Sequence, residues 1–403
     1  MGSLNPRMTL SPELAAAAFD SQSRTRIIFG AGAVARLGIL ARELGIKRAL
    51  LVTDAGIVAA GHADRAEVAL GAAGVQLVRY EAVRENPTTT DVSACLEVAR
   101  NSNIDGFIGL GGGSSMDTAK GANFLLTNGG EMKDYWGVGK AQFPLLPLIA
   151  VPTTAGTGSE CQSAALIADP VTHQKMACLD PKAAARIALL DPELTLSMPP
   201  RVTAVTGVDA IAHALETAVT TRRTPWSVMY SRAAFGYLVS AFPRVLANPR
   251  DIEARSEMLL GSAFAGLAIE NSMLGAVHSA ANPLTAHFGI AHGVAVGLML
   301  PSVLRFNSVA PQARSEYARL LGGTGNGASE EAQAERLIAT IHILLRDAGI
   351  PENLAVAGVT KDSVQVMAQE AAQQWTAKFN PRHASIDDFI GLYLAAGGWA
   401  VDS

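Results

Sequence analysis

Charged residues are scarce in this 403-residue chain: Asp, Glu, Lys and Arg make up 17%, against 49% hydrophobic residues. That balance excludes a largely disordered protein, because disorder needs low hydrophobicity and high net charge. The formal charge is −4 and no Lys/Arg run interrupts it, so the electrostatic footprint of a nucleic-acid or acidic-membrane binder is missing. Cysteine is also rare. Cys95, Cys161 and Cys178 are an odd number, with neither a CxxC pair nor a Cys/His zinc spacing. They read as reduced core thiols of a cytoplasmic protein. No window approaches the ~20 uninterrupted apolar residues of a membrane span, and no charged segment precedes an apolar one as in a signal peptide.

What is present is alternation. Short apolar runs at 26–30, 48–53, 75–80, 107–110 and 148–151 are separated by helical patterns at 31–44, 62–73, 90–101 and 114–127. Near-continuous apolar strands alternating with helices predict a parallel sheet covered on both faces. Ala164 to Ala168 and Lys175 to Leu179, around Asp169-Pro170, predict a β-hairpin. After Pro199-Pro200 the period changes to 3.6, with helices expected at 202–220, 225–246, 251–269, 272–286, 292–307, 312–321, 329–348, 361–374 and 385–396. The expected organisation is a loose Ala-rich arm (1–24), a Rossmann-like α/β domain with a hairpin (25–198) and an all-helical domain (199–403). The Gly322–Gly327 stretch reads as a surface loop.

Within the first domain, Phe107-Ile108-Gly109-Leu110 runs into Gly111-Gly112-Gly113-Ser114-Ser115 and then a helix. Glycines admit close approach of a ligand, and a helix start offers free N–H groups to phosphate. Ser114 and Ser115 can cap that helix and donate hydroxyls. The GxGxxG fingerprint after the first strand is absent, so an ordinary Rossmann assignment does not apply. The candidate acceptor of a ribose hydroxyl, Asp54, closes an earlier strand; it would repel a 2′-phosphate and favours NAD over NADP. An N-cap role for Asp54 is compatible with this. The loops Asn86-Pro87-Thr88 and Pro152 to Glu160 also follow strands. Together with the glycines they outline a dinucleotide groove beyond the strand ends.

The second half carries Gly207-Val208-Asp209-Ala210-Ile211-Ala212-His213-Ala214-Leu215-Glu216, then His278 and His292-Gly293. Asp209 and His213 are four residues apart and share a helix face. One carboxylate and three imidazoles form a ligand set for Fe²⁺ or Zn²⁺. Beside a nicotinamide, such a metal would hold the substrate oxygen while the protein positions the hydride transfer. His62, His173 and His342 read as surface or helix-face residues.

With these motifs in view, the sequence resembles the iron-containing (group III) alcohol dehydrogenases, the family of lactaldehyde reductase and 1,3-propanediol dehydrogenase. The marks are Gly111 to Lys120, Pro152 to Thr157, Gly207 to Ala210, and His278 to Gly293. The resemblance implies a two-domain plan shared with dehydroquinate synthase and a metal-dependent NAD(H) oxidoreductase of small alcohols, diols or aldehydes. It also implies a homodimer or larger assembly. It assigns the metal to Asp209, His213, His278 and His292. It assigns the cofactor to Asp54, Asn86, Gly111, Gly112, Gly113, Ser114, Ser115, Asp117, Thr153, Thr154 and Thr157, with Lys175 near the nicotinamide ribose. One departure stands out: where many members carry a second histidine after the His278 position, this chain has Asn282. Asn does not titrate, so a proton relay would pass to His287, or to the cofactor ribose and water. The alternatives are a maleylacetate reductase-like dicarboxylate reductase, for which Arg305 is the only cation in 273–305, and a metal-free nucleotide-binding sensor.

Overall fold

The computed structural model describes residues 10–171, 174–322 and 327–399. Its strands are β1 (Arg26–Phe29), β2 (Arg48–Val52), β3 (Gln76–Tyr80), β4 (Gly106–Gly111), β5 (Gly137–Val138), β6 (Leu148–Pro152), β7 (Ala164–Ala168), β8 (Lys175–Leu179) and β9 (Ile187–Leu190). Six of them form a sheet in the order β1-β9-β6-β4-β2-β3, with every pairing parallel. Successive side chains of a strand point to opposite faces. Leu50, Val52, Phe107 and Leu148 accordingly enter one core, while Ala49, Leu51, Ile108 and Ile149 enter the other. Two cores explain why β4, β6 and β9 are buried along their whole length.

The small second sheet has the order β5-β8-β7, and β7 and β8 form the expected antiparallel pair. Two strands, β9 of the large sheet and β5 of the small one, differ from expectation. Nothing in the sequence pattern singled out β9, yet Ile187 pairs with both Arg26 of β1 and Ile149 of β6. A four-residue apolar run has too little periodicity to declare itself; its strand character comes from having a neighbour on each side. The two-residue β5 was missed for the same reason.

Beyond Pro199 the described residues contain helices and no strand: Pro200–Val219, Pro225–Ala247, Ile252–Glu270, Ala276–Phe288, His292–Asn307, Pro311–Leu320, Glu330–Asp347, Val364–Gln373 and Ile386–Gly397. The expected 272–286 helix starts four residues late, because Gly275 takes a non-helical backbone (φ −141°, ψ −140°). The chain forms two compact units, one of Gln22–Met198, the other of Pro199–Ser403 with the first residues up to Ser21. Residues 1–9 of the arm, 323–326 of the Gly-rich loop, and His173 lie outside the described residues.

All three cysteines are buried. His62, read as a surface or helix-face residue, opens the helix His62–Ala72 and is 5% exposed, with its Nε2 2.7 Å from Ser197 Oγ. No described helix is long and apolar enough to cross a membrane.

Candidate metal centre and cofactor cradle

Because β2, β4 and β6 are adjacent and parallel, their C-terminal ends emerge side by side. Gly111 pairs with Pro152, and Thr153 N donates to Gly111 O at 2.9 Å. At Gly111 and Gly113 nothing larger fits, while Gly112 would admit a Cβ at ordinary contact distance. A Cβ on Gly111, whose φ is +148°, would lie 2.4 Å from Ser115 Oγ and 3.5 Å from Asp54 Oδ2. On Gly113 it would lie 2.9 Å from Thr157 Cγ2, and on Gly112 3.5 Å from the Thr154 side chain. Asp54, Ser115, Thr154 and Thr157 thus line one small cradle.

The helix Gly113–Asn128 leaves that cradle with Gly112 as its N-cap and no capping side chain. This corrects the reading in which Ser114 or Ser115 caps it. Ser115 Oγ is instead buried with no hydrogen-bond partner among the described residues. An uncapped helix start plus an orphaned hydroxyl fits a bound phosphate. Asp54 does cap the helix Ala55–Ala59, accepting from Gly56 N at 2.8 Å and Ile57 N at 3.1 Å. Both bonds use Oδ1, which leaves Oδ2 as the oxygen nearer Gly111. Asn86 sits after β3 in the left-handed region (φ 51°), and the next residue is anchored to β7 through Ala168 N donating to Pro87 O.

A buried network of Asp117, which the resemblance gives to the cofactor, and Lys120, to which it gives no role, holds the threonine loop. Lys120, fully buried, donates to Ser159 O, Gln162 O and Ala164 O at 2.7–2.9 Å and to Ser159 Oγ at 3.0 Å. Ser159 Oγ donates to Asp117 Oδ1 at 3.2 Å. Burial pushes the Asp117 carboxyl up to about 6, against the opposing charges of Lys120 and Lys175. Burial also pushes the neighbouring Glu160 up to about 7.

In the helical unit, Asp209 and His213 sit one turn apart on Pro200–Val219. His278 lies in the first turn of Ala276–Phe288, and His292 opens the next helix. Gly293 lets that helix start approach the first: a Cβ there would be 2.1 Å from Val205 O. The result is convergence on one oxygen. Asp209 Oδ1 is 3.3 Å from His278 Nε2, 3.5 Å from His213 Nε2 and 3.7 Å from His292 Nε2. Donors ~2.1 Å from a common tetrahedral ion stand roughly 3.4 Å apart, so the spacing fits a divalent cation.

Asp209, His278 and His292 have ligand atoms all within 4.8 Å of one another. His213 is outside that set but stacks on His278 with centroids 4.8 Å apart. Burial pushes the Asp209 carboxyl up, yet the imidazoles, His213 foremost, hold it well below the usual range. Burial pulls His278 down, but the Glu216 and Asp209 carboxylates outweigh it and push the imidazole up to about 9. Glu216 had been given no role; its Oε2 is 2.5 Å from His278 Nδ1.

The two relay candidates are separated by the helix geometry. Asn282, one turn past His278 on the same face, donates from Nδ2 to Gln374 Oε1 at 3.0 Å. His287 is about two and a half turns past His278, on the opposite face. Its side chain is 39% exposed and Nε2 lies 2.8 Å from Glu370 Oε2.

Known proteins agree with this architecture. The iron-containing alcohol dehydrogenase pattern matches residues 24–192, and the C-terminal pattern of the same family matches 203–397. An NAD-dependent methanol dehydrogenase of Bacillus methanolicus is 34% identical over 366 residues, covering 91% of this chain and 96% of the relative. The lactaldehyde reductase of Escherichia coli K12 is 34% identical over 373 residues, covering 91% and 97%. A crystal structure of a 1,3-propanediol oxidoreductase superposes with a TM-score of 0.91 at 32% identity, covering 94% of this chain and all of the other. With both halves matched and relatives at this identity over nearly the full length, the chain belongs to the iron-containing alcohol dehydrogenase family.

Proposed function

We propose that the protein interconverts a small primary alcohol or diol and its aldehyde, using NAD(H) and a divalent metal held by Asp209, His213, His278 and His292. The observation that carries this reading is the placement of three imidazole Nε2 atoms 3.3–3.7 Å from a single Asp209 oxygen. When bound, the cation supplies a Lewis acid for the substrate oxygen and the nicotinamide exchanges the hydride. Neutral imidazoles and one carboxylate select neither Fe²⁺ nor Zn²⁺, so availability decides between them.

The protein's own part is to bind and orient. The uncapped helix start at Gly113 and the Ser115 hydroxyl are suited to the pyrophosphate. The Asp54 carboxylate is suited to a ribose hydroxyl, and Thr153, Thr154, Thr157 and Lys175 to the remainder of the cofactor. Neither Asn282, which does not titrate, nor His287, which is bound to Glu370 on the opposite helix face, is placed to take the proton, so a bound cofactor's ribose and water would be its route. A dicarboxylate substrate has no comparable support: Arg305 is 58% exposed and its nearest acidic partner is Glu335, at 3.9 Å. The resemblance further supports a homodimer or larger assembly, which light scattering measures.

The test is NADH oxidation by metal-loaded protein with a panel of short aldehydes, and NAD⁺ reduction with the matching alcohols. Activity lost on chelation and restored by Fe²⁺ or Zn²⁺ supports the reading; no turnover with any member overturns it. Cofactor choice is tested by Asp54→Gly. Replacing an N-cap by Gly costs only a few tenths of a kcal/mol, while removing the charge that repels a 2′-phosphate raises kcat/KM for NADPH relative to NADH.

A further inference from the structure

Asp209, His213 and Glu216 stand at i, i+4 and i+7 on one helix, so Glu216 lies one turn beyond the ligand pair on the same face. It is 4% exposed. Its Oε1 accepts from Val277 N at 2.7 Å and Gly275 N at 3.1 Å, while its Oε2 is 2.5 Å from His278 Nδ1. Between those two amides, Ala276 N donates to Asn380 Oδ1 at 3.2 Å. We propose that Glu216 is a positioning residue for the metal centre, fixing His278 with its proton on Nδ1 so that the Nε2 lone pair faces the cation. This rests on the metal reading given above.

The argument follows from donor and acceptor counts. Among the described residues, every group hydrogen-bonded to the Glu216 carboxylate is a donor or must become one: two backbone N–H groups on one oxygen and a ring nitrogen on the other. An ionised carboxylate only accepts, so Nδ1 carries the proton. A cation that replaces the proton on Nε2, the atom 3.3 Å from Asp209 Oδ1, then meets a neutral ring whose lone pair is on Nε2. Histidines that ligate metals commonly donate their other N–H to a carboxylate, which sets ring orientation and basicity. Here the same carboxylate also pins the helix turn that presents the ring, so ring and backbone are aligned by one group.

Glu216→Gln separates the two roles. The amide is isosteric, and its oxygen still accepts from Gly275 and Val277, so a purely structural role survives. Its NH₂ then meets Nδ1 as a donor, which moves the histidine proton to Nε2 and blocks ligation. Turned the other way, the NH₂ opposes two backbone N–H groups.

The metal affinity of the folded Glu216→Gln protein, measured for Zn²⁺ and Co²⁺ against a chelator, is expected to fall about 10–100-fold. The unfolding temperature of the metal-free protein should stay near that of the unaltered chain. A folded Glu216→Gln protein that holds both metals as tightly as the unaltered one overturns the proposal. A second measurement needs no variant. In zinc-loaded protein labelled with ¹⁵N-histidine, His278 Nδ1 is expected to carry a strongly downfield, hydrogen-bonded proton; an Nδ1 without a proton overturns the assignment. Failure of the underlying reading looks different, because the unaltered protein would then bind neither metal and both ideas would fall together.

Discussion

Ionising a carboxyl that is removed from water and short of partners is costly, and Glu160 is such a group: 1% exposed, with Oε1 lacking a hydrogen-bond partner among the described residues. Burial raises it from 4.5 to about 7, against a partial offset from its own backbone and from Lys120. The sign follows from proton counting. Between about pH 4.5 and 7 the folded chain holds a proton on Glu160 that the unfolded chain has lost, so stability falls as pH rises through that window. At ~1.4 kcal/mol per pKa unit the penalty is roughly 3 kcal/mol above the window. Glu160→Gln removes the titration. Its stability relative to the unaltered chain should therefore be roughly 2–3 kcal/mol more favourable at pH 8 than at pH 5, measured by urea unfolding at both values. Asp117 is raised in the same direction, but it is present in both proteins and cancels in the comparison. An equal difference at the two pH values would mean that the Glu160 carboxyl is hydrated or paired.

At the scale of elements, much was legible because periodicity reports burial. The parallel strands buried on both faces and the long amphipathic helices stood out, and Asp209 with His213 followed from helical spacing alone. What stayed hidden depends on neighbours. The strand β9 exists because β1 and β6 flank it. The cap of the Gly113–Asn128 helix is a glycine, although two serines follow it. Lys120 and Glu216 act through partners distant in sequence, 39 residues away for Ser159 and 62 for His278. The i+7 position of Glu216 was the available signal, and only the position of His278 gives it meaning. Gly293 belongs at this scale too. A methyl group 2.1 Å from Val205 O forces the helix opened by His292 away from the one carrying Asp209. Overpacking of this kind costs about 1–3 kcal/mol or more. Gly293→Ala should lower both the unfolding temperature and metal affinity, with His292 withdrawn from Asp209. A variant that keeps metal affinity would show that the two helices accommodate the methyl without moving the ligand.

For the whole molecule, the residues suited to the cofactor and those suited to the metal come from different compact units. The cradle of Asp54, Gly111 to Ser115, Thr154 and Thr157 lies within Gln22–Met198, and Asp209, His213, His278 and His292 lie within Pro199–Ser403. Each set is built by contacts internal to its unit: the glycine approaches and the Lys120 staple in one, Gly293 against Val205 and Glu216 against His278 in the other. A defect confined to one set should therefore leave the other unit's own geometry intact. His292 is the most exposed of the four proposed ligands, at 26% against 7% or less for the others, so its removal disturbs packing least. His292→Ala is expected to lose metal retention and turnover by at least tenfold, the lower end of what removing even an outer-shell partner costs. NADH affinity, followed by nicotinamide fluorescence, should change less than about threefold, well under the 1.4 kcal/mol of a tenfold change. Loss of NADH binding in step with the metal would mean that the cofactor is held in large part through the ion, and that the two sites are a single one in energetic terms.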